Sequence, residues 1–347
     1  MEKTKKSGSV LGKIWSQYSF IFVFIAIFAV YALVSSSLTW SGVMNIFRHT
    51  AVVGTLALGM GLICITGEID LSIGSMLALI GGLSVMVFNV TGSIIATLLF
   101  TLASGAVFGL VNGFLVGVVE MPAFIVTLST MLIYRSASQY ICKLVPKDLI
   151  GNGSSVYKMN QGEGFKEAYN SLFGFGNGKF FTVPVVGILL IIVTIIFVYV
   201  SSSTKFGKKV YAIGSNKKAA GMAGINVQLN KTLVFVIAGV LTGLGAFIWI
   251  AMNGSCDPAT TGKSYEMYAI AAVVLGGISM SGGKGKVVGI IFGAMSYTVI
   301  DKIIVALKMD SLIQDAIKGV ILVIVILIQV AGPKLKESRL FVKYFKK

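Results

Sequence analysis

Residues 181–201 read FTVPVVGILLIIVTIIFVYVS, without one Asp, Glu, Lys or Arg. A helix needs about 20 such residues to cross the hydrocarbon of a bilayer. Working outward, predominantly apolar runs recur at 19–37, 50–66, 71–90, 93–119, 122–142, 231–251, 267–281, 286–307 and 311–331. Of 347 residues, 56% are hydrophobic and 12% charged, with a mean hydropathy of +0.90. A soluble domain carries about 25% charged residues. The sequence predicts an all-α integral membrane protein with about ten transmembrane helices. The second and eighth runs are short for a full crossing and read as tilted, broken or partly re-entrant.

The first run follows a basic stretch, as a signal peptide would. No small-x-small cleavage site followed by a polar mature domain appears, and Trp15 and Trp40 flank the run like interfacial anchors. It is read as a mature span.

Charge sets the orientation. Residues 202–231 carry Lys205, Lys208, Lys209, Lys217, Lys218 and Lys231 with no acid, and the tail carries six basic residues against Glu337. Lys and Arg collect on the cytoplasmic side, so both termini are expected inside. The expected organisation is a cytoplasmic segment 1–18 and a transmembrane domain 19–331. The domain has an external insertion 143–180 and a cytoplasmic loop 202–230, and a basic tail 332–347 follows. The insertion's Gly, Asn and Ser content predicts little regular structure, and it reads either as a docking surface or as a passive solvated loop.

The net charge of +16 does not indicate nucleic acid, because only Arg48, Arg135 and Arg339 stand among 29 basic residues. His49 is the only histidine, and Cys64, Cys142 and Cys256 make no metal or disulfide spacing. No catalytic constellation, metal site or cofactor is expected. The run Leu275–Gly285 fails as a phosphate loop: Ile278 stands where the first Gly belongs and Gly285 follows Lys284. Its Gly276, Gly277, Ser281, Gly282 and Gly283 read as a tight turn between closely packed helices.

Between His49 and Val119 the only charges are Glu68 and Asp70. Gly67 can close one helix in a left-handed cap, and Asp70 can accept from the amides of Ser72 or Ile73. Charge at the membrane's edge is costly and usually functional. A capping turn and a role in a transport pathway are both compatible with this. A second segment, Gly214 to Asn226, offers Ser215 or Asn216 as a helix cap, Ala219 and Ala220 as helix formers and Gly224 as a stop. The resulting helix of about two turns is too short to stand alone in water, so the membrane surface or a partner protein must support it. Asp301, Lys302, Asp315 and Lys318 fall in the last two spans, and intramembrane pairing is expected for Lys318. A weak internal echo relates Glu68–Leu83 to Glu266–Ile278, as in transporters built from repeats that meet at the midplane.

Several blocks carry a resemblance: GEIDLSIGS at 67–75, LVNG at 110–113, PAFIVTL at 122–128 and AIGSN at 212–216 with Ala219, Ala220 and Gly224–Asn226. Tyr265-Glu266, Ala269–Ala272, Gly276-Gly277 and Ser281–Gly283 complete the set. Together they resemble the membrane permease of bacterial ATP-binding-cassette (ABC) importers for simple sugars, the ribose/galactose/xylose group, with the galactoside-type members most similar. The resemblance implies a multi-pass protein of the bacterial cell membrane. It also implies a second, identical permease chain, an ATPase below and a sugar-binding protein outside. The helix within 214–226, with Gly214, Asn216, Ala219, Ala220, Gly224 and Asn226, would be the coupling helix that seats in the ATPase. Glu68, Asp70, Ser72 and Asn112 would lie near the substrate pathway. The chain departs from the group at Glu68, Tyr268 and Asp301, which leaves the sugar open. The rival reading is a stand-alone ion-coupled secondary transporter, with Glu68, Asp70 or Asp301 binding the ion.

Overall fold

The computed structural model describes residues 10–35, 38–151 and 155–310, and beyond them 313–314, 316–321, 323–324 and 327. The tail expected at 332–347, residues 1–9 of segment 1–18, Asp315 and the end of the tenth run lie outside the described residues.

The chain is mostly helical. In order it forms α1 (Val10–Val34), α2 (Trp40–Ile65), α3 (Ile73–Thr91) and α4 (Ile94–Gly113), the last continued by a π-helical turn, Phe114–Val118. Then come α5 (Ala123–Leu144), β1 (Tyr157–Lys158), α6 (Lys166–Asn177), β2 (Lys179–Phe180) and β3 (Val183–Pro184). The remainder is α7 (Val185–Ser203), α8 (Lys205–Ser215), α9 (Lys217–Met222), α10 (Val227–Asn253), β4 (Ser255–Cys256), α11 (Tyr265–Leu275) and α12 (Val287–Ala306). Among the described residues, α2, α3, α4 with its π turn, α7, α10 and α12 are each long and apolar enough to cross a membrane, while Tyr18–Val34 and α11 are shorter apolar helices.

α2 is the central post of the bundle, buried almost continuously from Thr50 to Ile65. It is not short, as the apolar run suggested. It begins at Trp40, where the Thr39 hydroxyl accepts the Gly42 amide at 3.1 Å. Arg48 interrupts the apolar pattern without ending the helix, because its guanidinium donates to the Asn177 side-chain oxygen on α6. Against α2 packs α10, whose other side meets α4 along glycines. A methyl group on Gly109 would approach the Phe235 carbonyl at 2.5 Å, a backbone contact that only small residues allow.

Two helices are broken. α11 has 11 residues, a rise of about 16 Å, or roughly half of a hydrocarbon core of about 30 Å. The run 267–281 is therefore not a full crossing. It lies beside one half of α2, with Val273 near Gly61. α3 is preceded by the non-helical residues 66–72, which turn back into the protein instead of forming a turn exposed at the edge. Asp70 is 2% exposed and Ser72 fully buried. The starts of α3 and α11 meet: a Cβ on Gly74 would overlap the Gly262 carbonyl and lie 2.7 Å from the Glu266 carboxylate. From that meeting point the two helices run toward opposite faces.

The 143–180 insertion is more regular than its composition implied. β1 pairs antiparallel with β4, and β2 with β3. α6 holds because it buries Leu172 and Gly176, the latter against the α10 backbone at Ala251. Tyr157 is wholly buried and donates its hydroxyl to the Ser138 carbonyl at 2.8 Å.

Candidate functional site

The chemistry-bearing residues gather at one end of the bundle, around α8 and α9. The α9 helix starts where the sequence places it: the Asn216 side chain accepts the Ala219 amide at 3.0 Å, which satisfies one of the free N–H groups of a helix start. Its end is closed by the Ile225 amide on the Ala220 carbonyl at 3.1 Å, with Gly224 in the left-handed region. Ala220 faces inward at 5% exposure, while Ala219, Gly221, Gly224 and Asn226 are exposed. Met222 is 84% exposed, and around Gly221 there is open space.

Gly214 differs from the expectation. It belongs to α8, one residue before that helix ends, and not to the short helix that follows. A Cβ there would overlap the Ile65 carbonyl and approach the Gly283 nitrogen at 2.6 Å. It is where α8 is pressed onto the end of α2. The glycine-rich turn closes the same junction. The Gly283 amide donates to the Ile65 carbonyl at 2.8 Å, and the Tyr211 hydroxyl on α8 donates to the Gly285 carbonyl at 2.8 Å. Gly277, Gly282 and Gly283 all take positive φ, Gly276 packs on Gly289 of α12, and Ser281 is exposed. The segment turns tightly against the ends of α2 and α8.

Two further clamps hold the loop. Glu120, at the turn between the π turn and α5, accepts from Lys217 of α9 at 3.1 Å and from Gln228 of α10 at 3.2 Å. It does so with φ +62, unusual for a residue with a side chain. Those donors, Lys217 first, hold its carboxyl below the usual glutamate range. Lys231, in the first turns of α10, pairs with Glu68, both side chains largely withdrawn from solvent at 8% and 22% exposure.

Glu68 leads into the buried start of α3. There one Asp70 carboxylate oxygen accepts the Ser72 amide at 2.8 Å and the Ser72 hydroxyl at 2.6 Å. Asn112 of α4 donates to the same hydroxyl oxygen at 2.9 Å. The structure thus brings Asp70, Ser72 and Asn112 into one network, with Glu68 beside it on the way to α10. Asn112 is fully buried, and its side-chain oxygen finds no partner. Lys318 pairs with Asp301, at 2.7 Å.

Sequence reading missed Glu120. The available signal was its isolation: it is the only acid between Asp70 and Asp148.

A scan of family models matches residues 42–327 to the branched-chain amino acid transport system / permease component family. The chain belongs to this permease family. Among curated relatives, the permease is 34% identical to the ribose import permease protein of Escherichia coli K12, over 91% of this chain and 94% of that one. It is 35% identical to the ribose import permease protein of Bacillus subtilis 168, over 89% and 91% of the two chains. It is 31% identical to the xylose transport system permease protein of Haemophilus influenzae, over 90% and 95%. No solved structure matches the permease. The galactoside-type likeness is not among these findings, and the apolar helices are those of a multi-pass membrane protein.

Proposed function

We propose that this chain is the permease subunit of an ABC importer that moves a monosaccharide of the ribose or xylose class across the bacterial cell membrane. It has about ten membrane segments, with the apolar helices α1–α5, α7, α10, α11 and α12 joined by the helical residues around Lys318. Both termini and the 202–230 loop face the cytoplasm, and the 143–180 insertion faces outward, beneath a sugar-binding protein. A second copy of the chain completes the pathway. Hydrolysis of ATP belongs to a separate subunit seated on α9.

The observation that carries this reading is the contrast within residues 205–226. α8 and the base of α9 are locked to the ends of α2 and α10 and to Glu120 in the turn before α5, yet the tip of α9 projects free, with Met222 84% exposed. A helix of six residues that offers an apolar tip on a rigid base is built to receive a partner and pass on its motion. Movement of α9 would reach α3 by three routes: through Gly214 and Gly283 to Ile65, through Glu120, and through Lys231 to Glu68. Glu68, Asp70, Ser72 and Asn112 lie along the pathway in this reading, holding the broken start of α3 in register with α4. An ion-coupled carrier needs an acid that can exchange its cation. Glu68 and Asp301 are each paired with a lysine instead.

The test is co-purification from native membranes with Met222→Glu and Gly221→Glu, which alter only the exposed tip. The ATPase should accompany wild type and be lost from both variants, while the variants keep their melting temperature. An ATPase retained by both would remove α9 as its seat.

A further inference from the structure

We infer that the cavity walled by α2, α11 and α12 is a monosaccharide subsite at the middle of the membrane. This rests on the importer reading and names the place where the sugar pauses within this chain.

The location comes first. The cavity encloses about 130 Å³ and is lined by His49 and Val53 of α2, Tyr265 and Tyr268 of α11, Tyr297, Thr298 and Asp301 of α12, and Lys318. Val53 stands midway along the 26 residues of α2, about 18 Å by helical rise from the Ile65 end that carries the α8 junction. Thr50 and Thr298 fix the register of α2 and α12 at this level, their hydroxyls 2.9 Å apart. α11 begins here, beside the start of α3. Repeat-built transporters hold substrate at such a level, between discontinuous helices.

The chemistry comes second. Tyr265 and Tyr268 have ring centroids 5.5 Å apart, and Tyr268 and Tyr297 4.8 Å apart. Trp249 extends the row, edge-on to Tyr265 at 5.9 Å. Such a row offers flat apolar faces for the C–H side of a sugar ring and hydroxyls at its margin. Asp301 and Lys318 pair at 2.7 Å, and Lys318 also lies 5.1 Å from the Tyr268 ring centre. The pair supplies acceptor and donor together with no net charge. That suits a neutral polyol. The volume is below the roughly 300–1,000 Å³ of pockets for drug-sized ligands, so the occupant is on the scale of one small sugar.

The test uses the full transporter in proteoliposomes with its ATPase and binding protein. In Thr298→Cys, a small thiosulfonate reagent should label the cavity, and D-ribose or D-xylose should slow labelling at least fivefold, whereas leucine should not. In Tyr268→Leu, which keeps the bulk and loses the aromatic face, sugar uptake should fall at least tenfold while the ATPase still co-purifies. Labelling that no sugar slows, or uptake in Tyr268→Leu within twofold of wild type, overturns the subsite and leaves the importer reading intact. A wild-type complex that takes up no sugar overturns the importer reading itself.

Discussion

Lys231 of α10 and Glu68, on the segment that links α2 to α3, form an ion pair with little solvent around it. No other ion pair among the described residues has both side chains so withdrawn from solvent. It ties the helix that follows α9 to the acidic segment between α2 and α3. Removing one partner of such a pair leaves a buried charge uncompensated, and replacing both is often neutral. Lys231→Met should destabilise the protein by about 3 kcal/mol, the low end of the range for buried pairs because Glu68 keeps some contact with water. The double variant Glu68→Leu/Lys231→Met should recover most of that. Thermal melting in detergent of both variants checks it, and equal losses in the two would show that the pair adds nothing.

Asp70 is buried, and its work is to accept from Ser72. Asp70→Ala would strand the Ser72 amide and hydroxyl, at about 1–3 kcal/mol for a buried group left unsatisfied. Asp70→Asn keeps an acceptor oxygen and should cost less than half as much. Melting temperatures of the two variants give the comparison. An Asn variant as unstable as the Ala variant would mean that the charge itself is required.

Gly214 and Gly221 are seven positions apart and face opposite conditions. Gly214→Ala must push α8 off the Ile65 carbonyl, while Gly221→Ala meets open space. The first should abolish ATP-driven uptake at normal expression of the chain, and the second should leave it within twofold. Uptake assays on both variants decide between a packed junction and a passive loop.

Glu120 makes a pH prediction. Its carboxyl is lowered in the folded protein from an ordinary value of 4.5, first by Lys217 and then by Gln228. A depressed folded value means that the clamp's contribution is fully present above the unfolded value and is lost as pH falls through the folded one. Coupled ATPase activity of the intact complex should therefore show no Glu120-dependent change between pH 7 and 5. Glu120→Gln should lower coupling by the same factor across that window. A Glu120-dependent fall already at pH 6 would contradict the lowered value.

Much of this was legible in the sequence, because lipid imposes a simple rule on composition. Apolar runs gave α3, α4, α7, α10 and α12 within a few residues. Local backbone chemistry gave the Asn216 cap and the left-handed Gly67 and Gly224. What failed was long-range. The second run was begun at residue 50, after Arg48, because the partner of Arg48, Asn177, lies 129 residues away. Gly214 was grouped with the short helix because nothing nearby shows that it abuts Ile65. The insertion looked irregular because α6 is stabilised by α10 and not by its own sequence. Asp70 and Ser72 stood out as charge and cap, but their link to Asn112 spans 40 positions. Tyr265, Tyr268 and Tyr297 are ordinary tyrosines until α11 and α12 lie side by side.

The central claim is that transport is powered through α9 by a separate ATPase. The most direct measurement is radiolabelled D-ribose and D-xylose uptake into proteoliposomes holding the permease alone, or the permease with its ATPase and binding protein, with and without ATP. Uptake only in the complete system with ATP, and its loss in Met222→Glu, is the predicted result. Uptake by the permease alone, driven by an ion gradient and indifferent to ATP, would contradict the account.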